Sequence, residues 1–205
     1  FLTGGSGFVG RALSNELIQR GHRLRCLVRS NSKNQLISSP QITPVKGNIF
    51  SPDDLVPLIE GADAVIHLVG IIREFPRREV TFERLHYEAT TAVINAAQTA
   101  GVLRFLHMSA NGSRRDAQTN YHQTKWRAEE AVRNSTLDWS IFRPSLIYGN
   151  EDHFINLLAT MIRKLPLIPV MGDGEYKMQP VPVTSVAKGF ATALERIGTI
   201  KKTYH

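Results

Sequence analysis

The feature that most restricts this chain lies at its beginning, in Thr3-Gly4-Gly5-Ser6-Gly7-Phe8-Val9-Gly10. Three glycines at 4, 7 and 10 sit between an apolar strand remnant and a stretch with helical spacing. Gly4 permits the tight turn out of a strand, Gly7 lets backbone approach a ligand, and Gly10 lets helix and strand pack closely. The helix mouth then offers unpaired N–H groups and a positive dipole end, a seat for a diphosphate. A structural turn explains three glycines equally well in isolation. Their place at a strand–helix junction favours a bound nucleotide over a mere turn. A first strand normally takes about five residues, so further residues are expected upstream of Phe1.

The rest of the chain alternates strand and helix signals. Val9, Leu13, Leu17 and Ile18 follow helical spacing, and Gly21 supplies the stop. Residues 23–29 read as a strand and 43–46 as a short third one. Ser51-Pro52-Asp53-Asp54 combines an N-cap, a first-turn proline and two acids that complement the dipole, and Gly61 ends that short helix. Residues 64–69 form an apolar run suited to a strand buried on both faces. A long helix is expected over 82–100, ended by Gly101, then a strand over 103–108, a helix over 121–133 and a strand over 138–142. This rhythm calls for a parallel sheet between helices. Ligands of such sheets bind beyond the carboxyl ends of the strands.

Composition closes several routes. No segment approaches the roughly 20 apolar residues of a membrane span, so no membrane span is expected. The single cysteine, Cys26, excludes an internal disulfide and fits a reducing compartment. The net charge of +7 raises the question of nucleic acid, but the pairs Arg77-Arg78, Arg114-Arg115 and Lys201-Lys202 are scattered and read as solvated surface. None of the seven histidines joins a metal-ligand cluster. His67 and His107 fall in core strands, where a satisfied imidazole is expected.

Two further sites carry chemistry. A dinucleotide domain that takes NAD places an acid at the end of its second strand to hold the ribose hydroxyls. Here Arg29 stands there, with Ser30 and Lys33 close behind, and a guanidinium suits a 2′-phosphate. The expected cofactor is NADP in preference to NAD. Tyr121 and Lys125 lie four apart on one helical face, and Ser109 ends the preceding strand. A phenol near pKa 10 is a poor base at neutral pH, but a neighbouring ammonium favours the phenolate. Tyr121 is expected to be the acid/base, Lys125 its tuner and the holder of the nicotinamide ribose, and Ser109 the anchor of the substrate oxygen.

These residues resemble the short-chain dehydrogenase/reductases, in their extended or atypical epimerase/dehydratase branch. The resemblance spans the chain and includes His67-Leu68-Val69-Gly70-Ile71-Ile72, Arg143-Pro144-Ser145-Leu146-Ile147-Tyr148-Gly149, Gly172-Asp173-Gly174 and Gln179-Pro180-Val181. It is strongest to the subgroup containing the nucleotide-binding accessory subunit of respiratory complex I. It implies a Rossmann-type doubly wound parallel sheet over 1–150. Residues 151–205 are then a small, incomplete substrate-binding part, interleaved with the last Rossmann elements. It implies a cofactor site of Thr3, Gly4, Ser6, Gly7, Phe8, Val9, Gly10, Arg29, Asn48, Ile49, Leu68, Val69, Gly70, His86, Tyr121, Lys125, Pro144 and Ser145. Asn48 and Ile49 would cradle adenine, with Asn48 where an acid is usual. Leu68, Val69 and Gly70 would line the adenosine ribose and phosphates, and Pro144 and Ser145 the nicotinamide amide. His86 stands where the family often carries a catalytic Asn, and Ser185-Val186 where Asp-Val is usual.

Two functions follow as expectations. One is a cytoplasmic oxidoreductase or epimerase moving hydride between NADP and a carbonyl or alcohol. The other is a nucleotide-bound structural or assembly subunit without turnover, which an organellar location would suit. Small-molecule substrate, homodimer and a larger complex are the partners these readings admit; nucleic acid is not among them.

Overall fold

The computed structural model describes residues 1–29, 36–152, 154–164, 175 and 178–205. Seven parallel strands form the sheet: β1 (Leu2–Thr3), β2 (Leu24–Val28), β3 (Ile42–Lys46), β4 (Ala64–His67), β5 (Arg104–Met108), β6 (Asp138–Phe142) and a last strand, Lys202–Tyr204. Their order is β3-β2-β1-β4-β5-β6 followed by the last strand. The chain therefore winds one way from β1 and then the other, leaving a crevice between the carboxyl ends of β1 and β4. This is the Rossmann-like architecture expected. A small parallel pair, β7 (Ile147–Tyr148) and β8 (Val181–Pro182), stands apart from it, which makes Lys202–Tyr204 β9.

Helices α1 (Phe8–Gln19) and α6 (Val183–Glu195) cover one face, while α2 (Pro52–Ile59), α3 (Ala89–Thr99) and α4 (Asn120–Asn134) cover the other. Strand alternation sorts the core between them. Leu2, Cys26, Ile66 and Leu106 meet Leu13, Leu17 and Phe190 under α1 and α6. Val65, Phe105, Trp139 and Ile141 meet Leu55, Val93 and Val132 under the other layer. The N-cap read from Ser51 is present, its hydroxyl accepting from the Asp54 N–H at 3.3 Å.

Two elements differ from expectation. The long helix over 82–100 is not α-helical throughout, because Glu83–Glu88 form a π-helical segment ahead of α3. The hydroxyls of Thr90 and Thr91 donate to the carbonyls of His86 and Tyr87 at 2.5 and 3.0 Å, satisfying groups at the change of register. β9, which sequence periodicity did not reveal, has only three residues and follows a turn with Lys201 at φ 57°. Within the part 151–205 assigned to substrate binding, α5 (Phe154–Lys164) lies apart from the Rossmann elements. His153, residues 165–170 and Gly172-Asp173-Gly174 lie outside the described residues.

Candidate functional site

The glycine loop closes on itself in a way only glycine allows. Gly4 has φ 77°, in the left-handed region. A Cβ on Gly10 would stand 2.1 Å from the Gly4 carbonyl oxygen and 2.7 Å from Gly5 Cα. The backbone of the turn thus lies directly on α1. Gly7 is the N-cap, and neither a side-chain cap nor an acid occupies the first turn. The N–H groups of Phe8, Val9 and Gly10 are left to an outside acceptor. Ser6 turns its carbonyl to Arg11 Nη1 at 2.7 Å. Thr3 closes the strand with its side chain pointing inward, Oγ1 lying 2.7 Å from His67 Nδ1.

Leu68 and Val69 leave β4 beside this turn; a Cβ on Gly4 would meet Leu68 and Val69 backbone at 3.1 and 3.2 Å. Asn48 forms a local turn, its Oδ1 accepting the Phe50 N–H at 3.1 Å, and Ile49 packs on the core below α2. Arg29 is exposed one residue past β2. Ser30 and Lys33 lie outside the described residues.

Across the crevice, α4 begins with its own cap, Thr119, and presents Tyr121, Lys125 and Glu129 at successive i, i+4 positions. Tyr121 is packed edge-on against Phe82 and His86, at centroid distances of 5.6 and 5.2 Å. Burial pushes its phenol above its ordinary pKa. This differs from the expected lowering, since desolvation governs the phenol here. Lys125 is buried and donates to the Met108 carbonyl at 3.0 Å. Burial lowers its pKa to about 8, with Glu129 pulling the other way. Gly70 faces this ammonium so closely that a Cβ there would lie 2.8 Å from Lys125 Nζ.

His86 is tied at both nitrogens. Nδ1 lies 3.0 Å from Thr124 Oγ1, and Nε2 lies 3.0 Å from the Ile71 carbonyl oxygen and 3.2 Å from the Ile71 nitrogen. Burial first and the Lys125 charge second lower His86 to about 3, so it is neutral at pH 7. It holds the loop after β4 rather than carrying a charge.

Ser109 departs from the expectation that it anchors a substrate oxygen. It is buried and donates to Glu129 Oε1 at 2.5 Å, with Ser113 Oγ 3.2 Å away. The physical reason is strand parity: Ser109 continues the series Phe105, His107 that faces inward toward α4. Glu129 itself, which sequence reading passed over, is fully buried. It accepts from Arg143 Nε and Nη2 at 2.9 and 2.6 Å and from Arg133 Nη2 at 2.6 Å. The two guanidinium groups flank Trp126. Repeating the Tyr–Lys spacing once more along α4 would have found this carboxylate.

Past Arg143, the Pro144 carbonyl accepts the Asn111 N–H at 2.9 Å, joining the loops after β5 and β6. Pro144 and Ser145 form one end of a cleft of about 900 Å³ walled by Val181, Pro182, Val186 and Tyr204.

A family model described as NAD(P)H-binding matches residues 4–195, nearly the whole chain and both sites above. The chain belongs to the NAD(P)H-binding family. Among its relatives is the mitochondrial NADH dehydrogenase [ubiquinone] 1 alpha subcomplex subunit 9 of Arabidopsis thaliana, 30% identical over 98% of this chain and 51% of that protein. Another is a ceramide reductase of Caulobacter vibrioides, 33% identical over 84% of this chain and 53% of that one. The chain spans about half the length of these relatives. The fold is shared with the dTDP-glucose 4,6-dehydratase of Streptomyces venezuelae, solved with NAD bound. That match has a TM-score of 0.82 at 22% identity and covers all of this chain and 74% of that one. The glycine cradle fits the family's dinucleotide: the mouth of α1 has neither a side-chain cap nor an acid in its first turn, which leaves its N–H groups to an anion from outside. Among the described residues, no helix is long and apolar enough to cross a membrane.

Proposed function

We propose that this chain is the nucleotide-binding part of a reductase that moves hydride between NADP(H) and the carbonyl or alcohol carbon of an apolar substrate. The observation that carries this reading is the placing of half-buried Tyr121 and buried Lys125 on one face of α4, across the crevice from the glycine loop. A bound nicotinamide supplies or takes the hydride and, when oxidised, places a positive charge beside the phenol. Phe8, Val9 and Gly10 N–H groups hold the diphosphate, Arg29 pairs with a 2′-phosphate, and Asn48 and Ile49 cradle adenine. Lys125 holds the nicotinamide ribose, while Pro144 and Ser145 border the carboxamide. Tyr121 gives its proton to the substrate oxygen in reduction and recovers it in oxidation. Its raised pKa keeps the phenol protonated at neutral pH, which suits the reductive direction. Ser109 acts from behind, through Glu129, rather than on the substrate oxygen. Residues 151–205, interleaved with the last Rossmann elements, supply the substrate part of the chain.

The apolar substrate class is supported by the names of the relatives, a ceramide reductase and a 3-beta-hydroxysteroid dehydrogenase among them. The test is NADPH oxidation at neutral pH with long-chain and polycyclic ketones, comparing wild type with Tyr121→Phe. Turnover lost in the variant, with NADPH binding retained, supports the reading. Absence of turnover in the wild type with every ketone rejects it.

A second reading has its own support. Relatives at 30% identity are subunits of a respiratory complex, and α5 exposes Leu157 and Ile162. On that reading the chain binds NADP(H) as a structural or assembly subunit, in an organelle rather than the cytoplasm. Retained NADPH affinity without turnover in the wild type selects it.

A further inference from the structure

Lys125 sits in surroundings that oppose a charge. It is 3% exposed, and its hydrogen-bond acceptor among the described residues is the neutral Met108 carbonyl. Three imidazoles surround its position from other elements: His67 on β4, His107 on β5 and His86 on the π-helical segment. All three have pKa values driven down by burial and by the Lys125 charge, so none helps to neutralise or to repel it at pH 7. On α4 itself stand Tyr121, whose phenol burial keeps neutral, Arg133 and Glu129. Arg143 approaches from the end of β6. The sole buried carboxylate in this set is Glu129, one helical turn beyond Lys125.

We infer that Glu129 is a positioning residue for the Tyr121–Lys125 pair, its buried carboxylate holding Lys125 in the charged state while fixing the strand ends on either side. The geometry gives it both tasks. Through Ser109 it holds the end of β5, through Arg143 the end of β6, and through Arg133 its own helix. Arg133 also has Glu130 at 2.9 Å, so Glu129 is not its sole counter-ion. A carboxylate one turn away in a low-dielectric interior favours the ammonium. Burial lowers Lys125 to about 8, and Glu129 is the one charge opposing that fall. Without it, the midpoint drops toward or below neutrality, and the group that holds the ribose becomes an uncharged amine. This inference rests on the role proposed for Lys125, but the charge of Lys125 can be read without cofactor or substrate.

The experiment is an NMR titration of the chain labelled with ¹³C at lysine Cε, the Lys125 signal being assigned by its loss in Lys125→Met. In wild type the buried signal titrates near pH 8. In Glu129→Gln the midpoint is expected to fall by about one unit or more, while Glu129→Asp, which keeps the charge, restores most of the wild-type value. Because Glu129→Gln strands Arg143 inside the protein, the paired change Glu129→Gln with Arg143→Gln is titrated as well. Its midpoint is expected to fall in the same way. Arg143→Gln alone, which keeps the carboxylate, is expected to show no fall. A wild-type midpoint in the paired variant overturns the inference, as does a fall in Glu129→Asp equal to that in Glu129→Gln. Failure of NADPH turnover in wild type leaves these titrations untouched, so the two readings fail separately.

Discussion

The two faces of the sheet are built from the same strands and yet have opposite characters. Under α1 and α6 the interior is hydrocarbon, closed by Leu13, Leu17, Leu106 and the stacked rings of Phe142 and Phe190 at 4.1 Å. Under α3 and α4 the carboxyl end of the interior is polar, with Thr3, His67, Thr90, His107, Lys125 and Glu129 all buried. The sorting is one of parity: each strand sends its odd-numbered residues to one layer and its even-numbered residues to the other. What the difference teaches is a division of labour. One face supplies the stability that lets the other carry buried polar groups with a net cost.

The largest expected effects come from exchanging one residue on each face. Phe190→Ala removes a fully buried ring from the apolar face and should cost about 3–5 kcal/mol in urea unfolding, with NADPH affinity unchanged once the variant is folded. Lys125→Met on the polar face should do the reverse. Turnover falls by about 10²–10⁴-fold, while stability changes little, because the change gives up one hydrogen bond to the Met108 carbonyl and relieves the burial of an ammonium. A Lys125→Met variant that unfolds as readily as Phe190→Ala would break the division.

The two faces should also fail at opposite ends of the pH scale. His67 and His86 are lowered to about 3, and His107 falls as well, chiefly through burial. The unfolded chain takes up these protons near pH 6.5 and the folded chain does not. The stability contributed by these three histidines is therefore fully present above about pH 6.5 and is lost as pH falls toward 3, by at most roughly 4 kcal/mol per unit for three sites. On the apolar face Cys26 is raised to about 11 by burial. Its unfolded thiol ionises first, so stability there is present below about pH 9 and is lost as pH rises toward 11. Urea midpoints from pH 4 to 10 should show the acid loss directly, while the alkaline loss at Cys26 is opposed by Lys125, lowered to about 8, and is exposed by Cys26→Ala, whose midpoint should rise with pH between about 8 and 10.

Legibility in the sequence followed the same division. The sheet, its order of helices and the glycine loop could be read because Gly4, Gly7 and Gly10 and the apolar periods obey local rules. Tyr121 and Lys125 could be read because helical spacing places them together. The bond from Ser109 to Glu129 could not be read because it depends on which way a strand end points, which parity with Phe105 and His107 would have indicated. β9 was invisible because Lys202–Tyr204 is too short for a period. The expectation of satisfied core histidines holds for His67, bonded to Thr3 and Thr90. It does not hold for His107, whose ring nitrogens are buried without a hydrogen-bond partner. A sequence shows that a histidine is inside a strand but not whether a hydroxyl faces it.

That contrast sharpens into a smaller prediction. His107 stacks on His67 at 5.6 Å but has no polar contact among the described residues. An unsatisfied buried imidazole costs about 1–3 kcal/mol, so His107→Leu should stabilise the fold by an amount in that range. His67→Leu, which strands the Thr3 hydroxyl, should destabilise it. Urea unfolding of both variants at pH 7.5 compares the two signs directly, and equal signs would mean that His107 has a partner of its own.

The smallest effect tests how tightly the polar face is fitted to its lysine. Gly70 has an ordinary backbone conformation, so a side chain there meets no torsional obstacle. Its constraint is contact: a Cβ would stand 2.8 Å from Lys125 Nζ and 3.5 Å from Cε. The end of a lysine is flexible, so Gly70→Ala should leave the melting temperature within about a degree and shift the ammonium instead. A displaced ammonium reaches the ribose less well, and NADPH affinity should weaken about tenfold, equivalent to ~1.4 kcal/mol. Gly21→Ala serves as the counterpart: nothing lies within 4 Å of its Cβ position, but its φ is 87°. That change should lower stability through backbone strain and leave affinity alone. The pair separates a glycine kept for the space beside a functional group from one kept for the turn it makes.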